Sequence, residues 1–266
     1  MAVLEISFFS DALKRIAPLT AVIPAERPLF HGGNGIPFGG PFRSIYLLHG
    51  YSGTNTDWLR GSRIEQLAMA YNVAVFMPAG ENGFYLDDTI RGAHYSKLLC
   101  EDLIKFTRAV FCLSDRREDT TIGGFSMGGY GALRNGLLRS DVFGNIIAFS
   151  SPIMTDEVSN MSEDRPSPVA PFSYYVHTFG RPENFKGSDK DPRALAKAVL
   201  TEGKPMPILY FACGLEDIAH KQDLEYHNYL EEIGFKHLYV EGHGEHNWAY
   251  WDDQIEKALK WLDDMK

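Results

Sequence analysis

Ser126 is the residue around which chemistry can be built in this chain. It stands in Thr120-Thr-Ile-Gly-Gly-Phe-Ser126-Met-Gly-Gly-Tyr-Gly-Ala132, where a β-branched run ends in a glycine pair and a helical pattern of Leu133, Leu137 and Leu138 follows. The order predicts a buried strand, a sharp turn carrying the serine, and a helix. Gly124 and Gly128 complete the pattern G-x-S-x-G, in which small residues two before and two after the serine let the backbone bend enough to expose its hydroxyl. The helix start behind Ser126 aims unpaired N–H groups at any anion that forms there. A motif this short also arises by chance, so partners elsewhere must decide its meaning.

A serine hydroxyl is a weak nucleophile at neutral pH; it needs a histidine to take its proton and an acid to fix that histidine's tautomer. Where a doubly wound sheet carries this chemistry, the acid and then the histidine follow the serine, each on a loop at the C-terminal end of its own strand. The strand pattern Ile208 to Ala212 runs into Cys213-Gly-Leu-Glu216-Asp217, a glycine turn presenting two acids, of which Asp217 is preferred over Glu216. The pattern Leu238 to Val240 runs into Glu241-Gly-His243-Gly-Glu-His246-Asn-Trp248. His246 is preferred over His243 because it lies nearer the start of the last helix, where Trp248 can pack and hold the loop.

A tetrahedral oxyanion needs two N–H donors, one from the residue after the serine and one from a loop after an earlier strand. Met127 offers the first; Tyr51, between the glycines of Leu47-Leu48-His49-Gly50-Tyr51-Ser-Gly53, offers the second. His49, beside a glycine at a strand end, reads as a loop-organising hydrogen-bond donor and not as a base. A rival reading takes His243, His246, Glu245 and His220 as metal ligands. Helical zinc sites use histidines four apart on one face, whereas these two are three apart around Gly244, so no metal is expected. The glycine-rich stretch His31 to Pro41 lacks the lysine and the strand-to-helix context of a phosphate loop, so phosphate binding is not expected there.

The elements that must position these residues are legible as alternating patterns. Ala2 to Ser10 and Leu19 to Ile23 read as strands split by a turn around Asp11 to Pro18, an antiparallel pair at a sheet edge. From Ser44 onward apolar strands alternate with amphipathic helices, the pattern of a mostly parallel α/β sheet covered on both faces. The strands are expected at Ser44 to Leu48, Val73 to Met77, Thr120 to Gly123, Asn145 to Ser150, Ile208 to Ala212 and Leu238 to Val240. Ile64, Leu67, Ala68 and Tyr71 mark one buried helix face, and Leu99, Leu103, Phe106, Thr107 and Val110 another. Asp191-Pro192 opens a further helix, Gly234 closes one, and Trp251, Ile255, Ala258, Leu259 and Leu262 share a face of the last. About forty residues between Ser150 and Asp191 show no clear periodicity; they fit a lid or binding insertion at 151–190, or a surface excursion packed by its own aromatics.

Length and composition bound the rest. A chain of 266 residues, 44% hydrophobic, can bury a full core as one domain spanning 1–266. A net charge of -9, with no run of five basic residues, argues against nucleic acid or an anionic membrane as the main partner. No apolar run reaches a membrane span, and the N-terminus, interrupted by Glu5 and lacking a basic start, reads as a strand and not a signal peptide. Cys100, Cys112 and Cys213 are odd in number without C-x-x-C spacing, which argues against a disulfide framework and a structural zinc, and makes a cytoplasmic location the expectation.

Together these segments resemble the esterase D branch of the α/β-hydrolases, and within it the bacterial tributyrin esterases and the cinnamoyl (feruloyl) esterases. The resemblance runs from Leu47-Leu-His-Gly-Tyr-Ser-Gly-Thr54 with Asp57-Trp58, through Gly124-Phe-Ser126-Met-Gly128-Gly-Tyr-Gly-Ala, to His246-Asn-Trp248-Ala-Tyr-Trp251-Asp, which is most of the chain. It implies an α/β-hydrolase fold and a serine carboxylesterase of short-chain, aryl or cinnamoyl esters, with Ser126, Asp217 and His246 as triad and Tyr51 and Met127 as oxyanion donors. It also implies a homo-oligomer acting on a small-molecule ester, and no cofactor is called for. Relatives place an aromatic near the site in the segment Pro78-Ala-Gly-Glu-Asn-Gly-Phe84-Tyr85, so Phe84 and Tyr85, with Trp248, are the expected substrate contacts. Two alternatives stay open: an S-formylglutathione hydrolase type of thioesterase, and a non-catalytic binding protein on the same fold.

Overall fold

Each apolar run becomes a strand of one eight-stranded sheet in the computed structural model, which describes residues 1–25, 40–164 and 169–265. The strands are β1 (Ala2–Ser10), β2 (Arg15–Ile23), β3 (Arg43–Leu48), β4 (Val73–Pro78), β5 (Thr120–Phe125), β6 (Asn145–Phe149), β7 (Ile208–Gly214) and β8 (Leu238–Gly242). They lie in the order β1-β2-β4-β3-β5-β6-β7-β8. From β4 to β8 every neighbouring pair is parallel, while β1 pairs antiparallel with β2, and β2 with β4. This is the doubly wound, mostly parallel sheet with an antiparallel N-terminal edge that the sequence led us to expect.

Helices cover both faces: α1 (Asp57–Gly61), α2 (Ile64–Ala70), α3 (Leu103–Val110), α4 (Met127–Leu138), α5 (Thr155–Ser159), α6 (Phe172–Phe179), α7 (Pro192–Thr201), α8 (His220–Glu232) and α9 (Trp248–Asp264). Successive residues of a strand face opposite sides. Tyr46 and Leu48 therefore enter a core with Leu103, Leu133, Val199 and Leu230 of α3, α4, α7 and α8. Ile45 and Leu47 enter the other, with Trp58, Leu67 and Ile255 of α1, α2 and α9. Burial on both sides explains why β3 to β7 read as continuous apolar runs.

Two expectations need correction. β2 starts at Arg15 and contains Pro18, which the sequence reading put in the turn. Pro18 stands opposite Ser7 of β1, but β4 pairs with β2 only from Leu19 to Val22, so the missing N–H falls where β2 has no second neighbour to lose. The segment 151–190 is not without regular structure, since it holds α5 and α6 and a short turn of helix at Pro182–Asn184. Helices of five and eight residues are too short for a 3.6-residue period to stand out. The glycine-rich stretch from His31 lies outside the described residues except for Gly40 and Pro41. Among the described residues no helix is long and apolar enough to cross a membrane.

The seating of α4 on the sheet is tight. A Cβ placed on Gly128 would stand 2.3 Å from the Leu48 carbonyl oxygen and 2.7 Å from that of His49. Gly128→Ala is therefore expected to lose about 1–3 kcal/mol of stability in urea titration through overpacking against backbone that cannot yield. Gly83→Ala, where an added Cβ meets nothing within 4 Å, should stay within roughly 0.5 kcal/mol of the parent. Equal stability of the two variants would contradict this seating.

Candidate active site

The turn between β5 and α4 holds Ser126 at φ 53° and ψ -126°, a region that L-residues rarely occupy. Its N–H donates to the Phe149 carbonyl at 2.9 Å, and its own carbonyl accepts the Tyr130 N–H at 3.1 Å. The backbone is thus tied to β6 on one side and to α4 on the other, leaving the hydroxyl free to point away from both.

The loops after β7 and β8 bring the acid and the base to that hydroxyl. His246 Nε2 lies 3.0 Å from Ser126 Oγ, and His246 Nδ1 lies 2.9 and 3.1 Å from the two carboxylate oxygens of Asp217. The Asp217 side chain has no exposed surface. Burial works against its charge, but hydrogen bonds from His246, the Ala219 N–H and the Ser150 hydroxyl outweigh burial and hold the carboxyl below its ordinary value. With Nδ1–H donated to the carboxylate, the lone pair of Nε2 faces the serine.

Glu216 and His243, the acid and histidine set aside in favour of these two, lace the same loops together. His243 Nδ1 meets Glu216 at 2.8 Å, and Glu216 also accepts the Gly244 N–H at 2.7 Å. His220 instead pairs with Glu241, and Glu245 with Asn247, so the four side chains weighed as metal ligands turn to different partners.

Ser150 is a residue that sequence reasoning missed. It follows β6 at φ 49°, is fully buried, and accepts a hydrogen bond from Trp251 Nε1 at 3.0 Å. An indole N–H can only donate, so the hydroxyl keeps its own proton to offer, and against burial its influence lowers both the Asp217 carboxyl and the Cys213 thiol. The one signal available was its position at the C-terminal end of a parallel strand, where sites on such sheets gather. Asp223 of α8 supports the same loop by accepting the Ser151 N–H at 3.0 Å; full burial pushes its carboxyl well above the ordinary value.

The loop after β3 is fixed from three directions. Leu48 O accepts Trp58 Nε1 at 3.0 Å, His49 Nε2 accepts the Gly80 N–H at 2.9 Å, and His49 O accepts the Tyr85 hydroxyl at 3.0 Å. His49 Nδ1 donates to the Gly50 carbonyl at 2.8 Å, and burial lowers the pKa of the ring, so it serves as a neutral strut. The Gly50 carbonyl also accepts the Gly53 N–H, at 3.1 Å, and across a trans peptide that turns the Tyr51 N–H the opposite way. Among the described residues neither the Tyr51 nor the Met127 N–H has an acceptor.

Ser126, His246, Tyr51 and Met127 border one pocket of about 270 Å³. Its walls are largely apolar, with Phe84, Pro152, Met154, Tyr175 and Ile218 among them. Segment 151–190 thus supplies part of the wall. Of the three expected substrate contacts, Phe84 lines this pocket, whereas Tyr85 and Trp248 lie outside its lining. Tyr85 is wholly buried, its ring pressed between Gly80 and Gly131 and its hydroxyl spent on His49. Trp248 packs edge-on against Trp58, Phe125 and Trp251, outside the pocket lining. The resemblance pointed to Tyr85 and closeness to His246 pointed to Trp248; in the structure both rings are supports, each filling the space that a glycine leaves.

With this geometry in view, comparison with known proteins is consistent throughout. The model of the putative esterase family matches residues 34–262. An acetyl esterase of Caldicellulosiruptor saccharolyticus is 39% identical over 262 residues, covering 98% of each chain. Two solved structures from Staphylococcus aureus are each 26% identical over 98% of both chains: the fluorophosphonate-binding serine hydrolase FphF with bound substrate, at a TM-score of 0.83, and the S-formylglutathione hydrolase FrmB, at 0.82. The chain belongs to the putative esterase family, has the α/β-hydrolase fold, and is an enzyme acting on carboxylic ester bonds.

Proposed function

We propose that the enzyme hydrolyses short-chain carboxylic esters, acetyl esters foremost, through an acyl-enzyme on Ser126. The observation that carries this reading is the unbroken hydrogen-bonded line from Asp217 through His246 to Ser126, opening on a small apolar pocket. Ser126 Oγ attacks the ester carbonyl while His246 Nε2 takes its proton, and Asp217 stabilises the imidazolium that results. The N–H groups of Tyr51 and Met127 receive the oxyanion. His246 then returns the proton to the departing alcohol, and water repeats the sequence to release the acid. Pockets for larger ligands run to about 300–1,000 Å³, so a space of about 270 Å³ suits a small acyl group. The acetyl esterase relative points the same way.

A thioester reading has its own support in the likeness to an S-formylglutathione hydrolase. Glutathione carries two carboxylates. Tyr51 also borders a second cleft of about 410 Å³, which presents Glu81, Asp87 and Asp88 against Arg91. Glu81 is bridged by Arg15 and Asp88 by Arg91 and His177, so the cations that line the cleft are already engaged and not free for the glutathione carboxylates, and S-formylglutathione is expected to give a lower kcat/KM than ethyl acetate. The reverse order would favour the thioesterase.

Across p-nitrophenyl esters, turnover should be greatest for acetate and fall as the acyl chain passes butyrate, with methyl ferulate poor. Ser126→Ala should reduce kcat by several orders of magnitude, leaving the residual catalysis of the oxyanion donors and binding. Wild-type turnover by that variant, free of contaminant, would sink the proposal.

Ser150 provides a finer test. Losing a hydrogen bond to a charged group removes about 1.5–3 kcal/mol. Ser150→Gly should therefore reduce kcat about tenfold to a hundredfold with little change in KM. Its melting temperature should stay near the parent, because glycine tolerates φ 49° without strain. Ser150→Ala should lose both activity and stability, and full activity in either variant would remove Ser150 from the relay.

A further inference from the structure

At the turn joining α8 to β8, three potential ligands converge. His227 and Glu231 are one helical turn apart on α8 and share a face, and His237 follows the Ile233-Gly234 helix end just before β8. His237 Nδ1 donates to the Phe235 carbonyl at 2.8 Å, which leaves the lone pair of Nε2 pointing at His227 Nδ1, also 2.8 Å away. Glu231 Oε1 lies 3.8 Å from His237 Nδ1, the nitrogen turned to Phe235, so the exposed carboxylate joins Nε2 at an ion by a swing of its own side chain. One ligand atom from each of the three residues falls within 4.8 Å of the others. The His227 ring is stacked on Tyr239, with centroids 4.5 Å apart, and so has a fixed orientation. The His237 side chain has no exposed surface, while Glu231 is 65% exposed and forms the solvent side of the cluster.

We propose that His227, Glu231 and His237 form a binding site for a divalent ion of the zinc type, through His227 Nδ1, His237 Nε2 and a Glu231 carboxylate oxygen. Two imidazoles and a carboxylate are a donor set that suits zinc and its neighbours in the first transition row. A backbone carbonyl on the far nitrogen of a ligating histidine is the outer contact that fixes tautomer and ring orientation at such sites, and Phe235 supplies it. Two nitrogens bound about 2.0–2.1 Å from one ion at a tetrahedral angle stand about 3.3 Å apart, so the rings must separate by about half an ångström and turn until both lone pairs meet at the ion.

Without an ion, the contact between the two rings requires a proton, and it must be the Nδ1–H of His227, since the Nδ1–H of His237 is given to Phe235. Ion binding moves that proton to His227 Nε2 through solvent. Both rings stay neutral, no net proton is released, and Glu231 contributes the negative charge. Burial, and the neighbouring His237, lower the pKa of His227, which favours the neutral ring that a metal requires. The ion would tie the end of α8 to the start of β8. α8 begins shortly after Asp217 and β8 ends shortly before His246, so the tie would brace the segment between acid and base without joining the chemistry.

Calorimetric titration of chelator-treated enzyme with zinc sulfate, paired with thermal melts, tests the site. One zinc per chain and a raised Tm are expected. Both should vanish in His237→Ala, and Glu231→Gln should bind roughly tenfold more weakly or worse. His227→Gln, a milder change on an exposed helix, should also lose the ion while keeping the parent fold by circular dichroism. His243→Asn, which alters an exposed histidine beside the acid loop, should still bind. With zinc absent, His237→Ala, Glu231→Gln and His227→Gln should hydrolyse p-nitrophenyl acetate at the parental rate. Zinc binding that survives both His237→Ala and His227→Gln, loss of binding in His243→Asn, or no binding by folded wild type at millimolar zinc would overturn the proposal.

Discussion

A backbone angle of φ 53° at Ser126 is the constraint from which the rest of the site follows. A residue in that region costs about 1–3 kcal/mol and persists only where its surroundings over-determine it. Here β6 takes the Ser126 N–H, α4 returns to its carbonyl, and the absence of a side chain at Gly128 lets the helix press onto the end of β3. That last contact does two things at once. It holds the elbow, and it brings the loop carrying Tyr51 beside the N-terminus of α4, where Met127 begins the helix. The strained serine and the pair of free N–H groups are thus consequences of one close approach between helix and strand.

The acid and base are held by aromatic packing as much as by hydrogen bonds. Trp251, on the first turn of α9, stacks on Phe125 with centroids 4.1 Å apart, stands edge-on to His246 at 5.0 Å, and donates to Ser150. Phe125 immediately precedes the nucleophile. One indole therefore sets the distance from the elbow to the base and orients the hydroxyl that serves the acid. The Glu216 to His243 pair laces the two loops at their outer edge, so Asp217 and His246 meet as parts of one rigid corner.

Much of this could be seen in the sequence, for physical reasons that also explain what could not. Parallel strands buried on both faces leave apolar runs, and each run named from the sequence became a strand within a residue or two, except the second, which starts four residues earlier at Arg15. Ser126, Asp217 and His246, chosen by chain order and by their places after separate strands, are the residues that meet in one hydrogen-bonded line. What escaped were features that depend on the third dimension. Ser150 looks like any polar residue after a strand until the indole of Trp251, about a hundred residues later, donates to its oxygen and leaves its proton to be offered beside the acid loop. Tyr85, suggested by the resemblance, and Trp248, by its closeness to His246, lie outside the pocket lining because neither a motif nor a spacing shows which way a ring points. Pro18 misled because a proline breaks a central strand but not the unshared half of an edge pair.

A serine nucleophile at position 126 is tested most directly by trapping its acyl-enzyme. The enzyme would be mixed with excess p-nitrophenyl acetate, quenched in acid within the first turnovers, digested and examined by mass spectrometry. The peptide containing Ser126 should carry one acetyl group in the wild type and none in His246→Ala. Nitrophenol release with no acetyl on that peptide, or acetyl on another residue with the same kinetics, would contradict the covalent role assigned to Ser126.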